Sequence, residues 1–115
     1  MRGQAILITA ALTIGSAYAQ NAETTSGNFW HSMCNSGEAG YMACVNYVTG
    51  VLYGAQVAEQ SHKQEEPIFC IPKSVNSNQL TDIFRKYLTD HPEQRHMHSA
   101  SIVVMSANQQ FPCKP

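Results

Sequence analysis

At 115 residues, with 13% charged side chains and a formal net charge of −1 at pH 7, the chain has the size of one small domain. That balance excludes electrostatic binding of nucleic acid, which needs a clustered basic face, and no run of Lys or Arg is present. A domain this small buries a limited core and benefits from staples, for which Cys34, Cys44, Cys70 and Cys113 are available.

The chain opens with a targeting pattern. Arg2 is followed by an apolar run from Ala5 to Ile14 and then by Gly15-Ser16-Ala17-Tyr18-Ala19. A basic start, a short apolar middle and an A-x-A exit define a signal peptide over residues 1–19, with cleavage expected after Ala19. About ten apolar residues fall well short of the roughly 20 that a spanning helix needs, so no membrane attachment is expected after cleavage. The pattern fits export to the bacterial periplasm. In that oxidising compartment four cysteines are expected to form two disulfides. Zinc would compete for them, but neither a C-x-x-C nor a compact Cys/His cluster exists.

Residues 20–27 are polar, lack periodicity and read as a disordered leader to a domain over 28–115. Phe29, Trp30, Met33 and Cys34 then recur at helical spacing. After the break Asn35-Ser36-Gly37, the strongest stripe runs through Tyr41, Cys44, Val45, Val48, Val51, Leu52, Ala55 and Ala58, one face of a long second helix. Gly50 and Gly54 weaken that helix, so another backbone is expected close to them, from a neighbouring helix or from a second subunit. A polar connection around Ser61–Glu66 ends at Pro67, which cannot continue a helix.

The third helix has clear start signals. Asn76 is a good N-cap, Gln79 completes a capping box, and Val75 can staple onto Leu80. Its apolar stripe is Leu80, Ile83, Phe84, Tyr87 and Leu88, and Pro92 predicts an end near Asp90. Pro92 is also placed to open a fourth helix carrying Met97, Ala100, Val103, Val104, Ala107 and Phe111, which Pro112 stops. These four stripes make the fold class all-α, a small disulfide-stapled bundle of about four helices. A hairpin of helices three and four brings Cys70 near Cys113, and Cys34 and Cys44 flank one short connection. That geometry favours Cys34–Cys44 with Cys70–Cys113. Cys44–Cys70 is the alternative if the loop before Phe69 runs back along helix two.

Catalytic patterns are missing. His91, His96 and His98 cluster in sequence, but positions two apart on a helix face different ways, so His96 and His98 do not converge on a metal; a solvated helix end or a pH sensor remains. Paired cysteines leave no thiolate nucleophile. Asp82, Asp90 and Glu93 are surface carboxylates near helix ends. Without a phosphate loop, G-x-S-x-G or H-E-x-x-H, no enzyme activity and no cofactor are expected.

The string Cys44-x-x-Tyr47-Val48-x-Gly50-Val51, followed by Phe69-Cys70-x-Pro72, Gln79-Leu80, Tyr87-Leu88, His91-Pro92-Glu93 and Phe111-Pro112-Cys113, resembles the Tai family of bacterial immunity proteins. The resemblance spans Cys34 to Cys113. It implies an all-helical periplasmic protein, often a homodimer, that neutralises a peptidoglycan amidase effector delivered by a type VI secretion system by plugging its active-site groove. Loops and exposed helix faces carry such contacts, and the candidate here is the turn formed by Asp90, His91, Glu93, Gln94, Arg95 and His96, which is otherwise a structural corner. The alternative is a general periplasmic binding or stress protein of the acid-chaperone kind. A charged content of 13% is low for a protein opened by carboxylate protonation, which favours the inhibitor.

Overall fold

The computed structural model describes residues 3, 25–62 and 66–114, so the signal segment (Gly3 aside), residues 20–24 of the leader and residues 63–65 lie outside the described part. Four α-helices follow one another: α1 (Gly27–Cys34), α2 (Gly37–Ser61), α3 (Ser77–Asp90) and α4 (Ser99–Gln110), with a short 3₁₀ turn at Pro92–Gln94. No strand is formed among the described residues, and the fold is a small all-α bundle in which α2 packs against the other three helices.

The first helix starts where the chain is already tied down. Ser26 caps it by accepting from the Phe29 N–H at 3.2 Å. The N–H groups of Gly27 and Asn28, which have no intrahelical acceptor, donate to the carbonyls of Met97 (3.0 Å) and Arg95 (2.8 Å). Gly27 is required by this close approach, since a Cβ there would meet Ile102 Cδ1 at 2.7 Å and the Arg95 carbonyl oxygen at 2.9 Å. Gly37 makes the corner into α2 with a φ of 84°, a conformation that disfavours any other residue.

Helix α2 supplies the spine of the core. Cys44, Val48 and Leu52 are buried with Phe84, Leu88, Ile102, Val103 and Ala107 from the α3–α4 side, and with Phe69 from the loop before α3. Trp30 of α1 stacks on Tyr47 with ring centroids 3.9 Å apart, and the Tyr47 hydroxyl lies 2.6 Å from Ser99 Oγ. The predicted stripe holds at Cys44, Val45, Val48 and Leu52, while Ala58 near its end is exposed. Gly50 and Gly54 depart from the neighbouring-helix expectation. Both are exposed on the outer side of α2, and a Cβ on either would find nothing within 4 Å.

The third helix forms as its start signals require. Gln79 N–H donates to Asn76 Oδ1 and Asn76 N–H donates to Gln79 Oε1, both at 2.9 Å, which completes the capping box. The stripe contains one buried residue that hydropathy passes over: Thr81 is fully buried, its hydroxyl donating to the Ser77 carbonyl at 2.7 Å within its own helix.

The fourth helix starts later than its sequence signals suggest. Pro92 opens only the 3₁₀ turn, and α4 begins at Ser99 with His98 as its cap. The carbonyls of Arg95 and Met97 are already engaged by the start of α1, and Ser99 N–H donates to the Thr25 carbonyl at 2.7 Å. A helix running through residues 95–97 would have to give those tertiary bonds up. At the other end Phe111 N–H still donates to the Ala107 carbonyl, and Phe111 is the C-cap ahead of Pro112.

The two bridges join Cys34 to Cys44 and Cys70 to Cys113, with Cα separations of 5.2 and 4.8 Å. The stretch before α3 lies beside the end of α4, where Cys70 N–H donates to the Phe111 carbonyl at 2.9 Å and Asn108 Nδ2 donates to the Ile68 carbonyl. That placement brings Cys70 to Cys113 and away from Cys44.

Candidate partner-binding corner

The six residues singled out in the turn after α3 are adjacent in space but divide into two sets. Gln94 and Arg95 face the protein. Gln94 Oε1 accepts the hydroxyl proton of Tyr87 at 2.6 Å, and Arg95 donates from Nε to the Leu88 carbonyl and from a terminal nitrogen to the Thr89 carbonyl at 3.3 Å. Those carbonyls belong to the last turn of α3, where no intrahelical donor reaches them, so the guanidinium closes the helix end and complements its negative pole.

Asp90, Glu93 and His96 are exposed, and His91 is half-buried against the Tyr87 ring with centroids 4.2 Å apart. Asp90 is held by Lys86 one turn back on α3. Glu93 Oε1 lies 3.2 Å from His91 Nδ1. The Glu93 carboxyl is held below its ordinary pKa, first by its own backbone N–H and then by the His91 hydrogen bond, which keeps it charged at the apex of the turn. The corner therefore offers one fixed negative charge with a second carboxylate and an imidazole beside it.

The three histidines of this region have separate duties. His91 packs on Tyr87, His96 is exposed, and His98 Nδ1 accepts from the Ala100 N–H at 3.3 Å as a helix cap. Among the described residues no group of three or more His, Cys, Asp or Glu is arranged to hold a metal ion, and no helix is long and apolar enough to cross a membrane.

A second polar cluster was not anticipated from the sequence. Arg85 of α3 donates to Asn35 Oδ1 at 2.8 Å, pairs with Asp82 at 3.4 Å and sits 5.2 Å above the Tyr41 ring, while the Tyr41 hydroxyl donates to Asp82 at 3.1 Å. With Glu38 these groups rim an open concavity beside Cys34. The only local hint was Asp82 and Arg85 at a spacing of three; Asn35 and Tyr41 arrive from other elements. The cluster pins the α1–α2 corner to α3 through the terminal nitrogens of Arg85, whose Nε is buried without a hydrogen-bond partner.

The family model for Rap1a immunity proteins matches residues 26–113. Neither a curated relative nor a solved structure matches the chain. The matched stretch begins at the residue that caps α1 and ends at the last bridged cysteine, so it takes in all four helices, both disulfides and the corner. With a match over well more than half of its length, the chain belongs to the Rap1a immunity protein family.

Proposed function

We propose that this protein is a periplasmic immunity protein of the Tai type, which binds a peptidoglycan amidase delivered by a type VI secretion system and occludes its active-site groove. The observation that carries the reading is membership of an immunity family over the whole described fold. Two further features support it. Both disulfides suit an oxidising compartment, and Cys34 and Cys44 are 1% and 0% exposed, so that bridge is part of the core itself. The corner presents Asp90, Glu93 and His96 outward on a rigid frame, as a steric plug requires.

Inhibition on this reading is steric and uses no cofactor. The test expresses an amidase encoded beside this gene in the periplasm, with and without the protein. Co-expression is expected to prevent lysis, and a purified 1:1 mixture is expected to lose peptidoglycan hydrolysis. Equally fast lysis in both cultures, for every neighbouring amidase, would overturn the reading and leave a general periplasmic binding protein.

A further inference from the structure

We propose that the Cys70–Cys113 bridge is a thiol–disulfide exchange site, which a dithiol opens while the protein stays folded and Cys34–Cys44 remains closed. The two bridges stand in opposite surroundings. Cys34 and Cys44 are 1% and 0% exposed and lie in the core with Val48, Phe84 and Leu88. A thiolate must reach sulfur to exchange with it, so that bridge is attacked only when the core opens. Cys70 is exposed and Cys113 half-buried, where the stretch before α3 meets the end of α4.

The surroundings also admit a reagent. A groove of about 510 Å³ has both cysteines in its wall, many times the roughly 30 Å³ share of one water molecule. Glu66 and Lys114 line it as well, one charge of each sign, so no net charge repels an incoming thiolate. Cys113 Sγ lies 3.4 Å from the Pro67 carbonyl oxygen, which shields it and leaves Cys70 as the sulfur to be attacked. In the exchange the thiolate bonds to Cys70 Sγ as the Cys70–Cys113 bond breaks, and Cys113 departs as a thiolate that takes up a proton. The second thiol of the reagent then displaces Cys70 and passes its proton to it. The reagent ends as a disulfide, oxidised by two electrons, and the protein holds two thiols.

Other contacts hold the two segments together once the sulfurs part. Phe69 is 3% exposed and anchored in the core, Cys70 N–H donates to the Phe111 carbonyl at 2.9 Å, and Asn108 donates to the Ile68 carbonyl. The cross-link acts chiefly on the unfolded chain, whose freedom it limits across a separation of 43 residues. Reduction therefore lowers the melting temperature and leaves the native helices in place.

The inference rests on the fold alone and not on the toxin target. The chain with both bridges formed is treated with dithiothreitol in the absence of denaturant, quenched with iodoacetamide at intervals and mapped by mass spectrometry. Cys70 and Cys113 are expected to become alkylated at least about a hundredfold faster than Cys34 and Cys44, since only the second pair waits for global opening. Far-ultraviolet circular dichroism should be unchanged when the first pair alone has reacted. A thioredoxin whose second active cysteine is serine cannot complete the exchange, and with iodoacetamide capping the released Cys113 it is expected to be trapped on Cys70. Reduction by dithiothreitol with no trapped thioredoxin would confine the site to small dithiols. Four cysteines reacting at one rate, a Cys70–Cys113 bridge that resists dithiothreitol until urea is added, loss of the helical signal as that bridge opens, or trapping on Cys113 each overturns the proposal.

Discussion

His31 shows how one side chain ties stability to pH. It lies half-buried on α1, and its pKa is held below the ordinary 6.5, first by burial and then by repulsion from the Arg95 guanidinium. In the folded protein the neutral ring is therefore preferred, and the unfolded chain takes up a proton more readily. Stability from this site is complete above 6.5 and declines as the pH falls from there to the lowered folded value. Glu93 has its own depressed pKa, but it starts from 4.5 and titrates in a lower window. We expect the melting temperature to drop as the pH is lowered through 6.5, and His31→Gln to lessen that drop. Parallel melting profiles for the two proteins would remove His31 as the cause.

At the scale of elements, what was legible in the sequence depended on how local the deciding forces are. The start of α3 was readable because Asn76 and Gln79 bond each other's backbone across three residues, with no help from the rest of the fold. Asn76→Ala should cost about 1 kcal/mol in urea unfolding, with Asn76→Asp recovering most of it, since an aspartate can accept the same N–H. A midpoint unchanged by the alanine would mean that the box adds nothing beyond solvent. The start of α4 was not readable. Pro92 and Glu93 favour a helix locally, yet the choice is made by Gly27 and Asn28, nearly seventy residues earlier, whose N–H groups take the carbonyls of residues 97 and 95. Thr81 was missed for a related reason. Its hydroxyl is satisfied inside its own helix, so a nominally polar residue can fill the core.

At the scale of the whole molecule, the corner mixes polar groups that face outward with polar groups that face the core, and this division explains both what the sequence revealed of it and what it hid. Polarity and a proline turn marked residues 90–96 as exposed, but composition has no way to show that Arg95 folds back onto the carbonyls of α3 or that Gln94 receives Tyr87. A test of the corner must therefore separate the outward residues from the inward ones. Glu93→Lys with His96→Asp alters only exposed groups and should shift folding stability by no more than about 0.5 kcal/mol. The same pair should weaken capture of the amidase at least about tenfold, a change of about 1.4 kcal/mol, if the corner enters its groove. Arg95→Glu should behave in the reverse manner. It removes two donors from the end of α3 and puts a negative charge at that helix's negative pole, so about 1–3 kcal/mol of stability should be lost even without a partner. Urea unfolding and a binding titration on the same two variants distinguish these effects. Full affinity in the Glu93/His96 variant would move the contact surface elsewhere on the bundle, whereas reduced affinity in Arg95→Glu alone would report only a loosened frame.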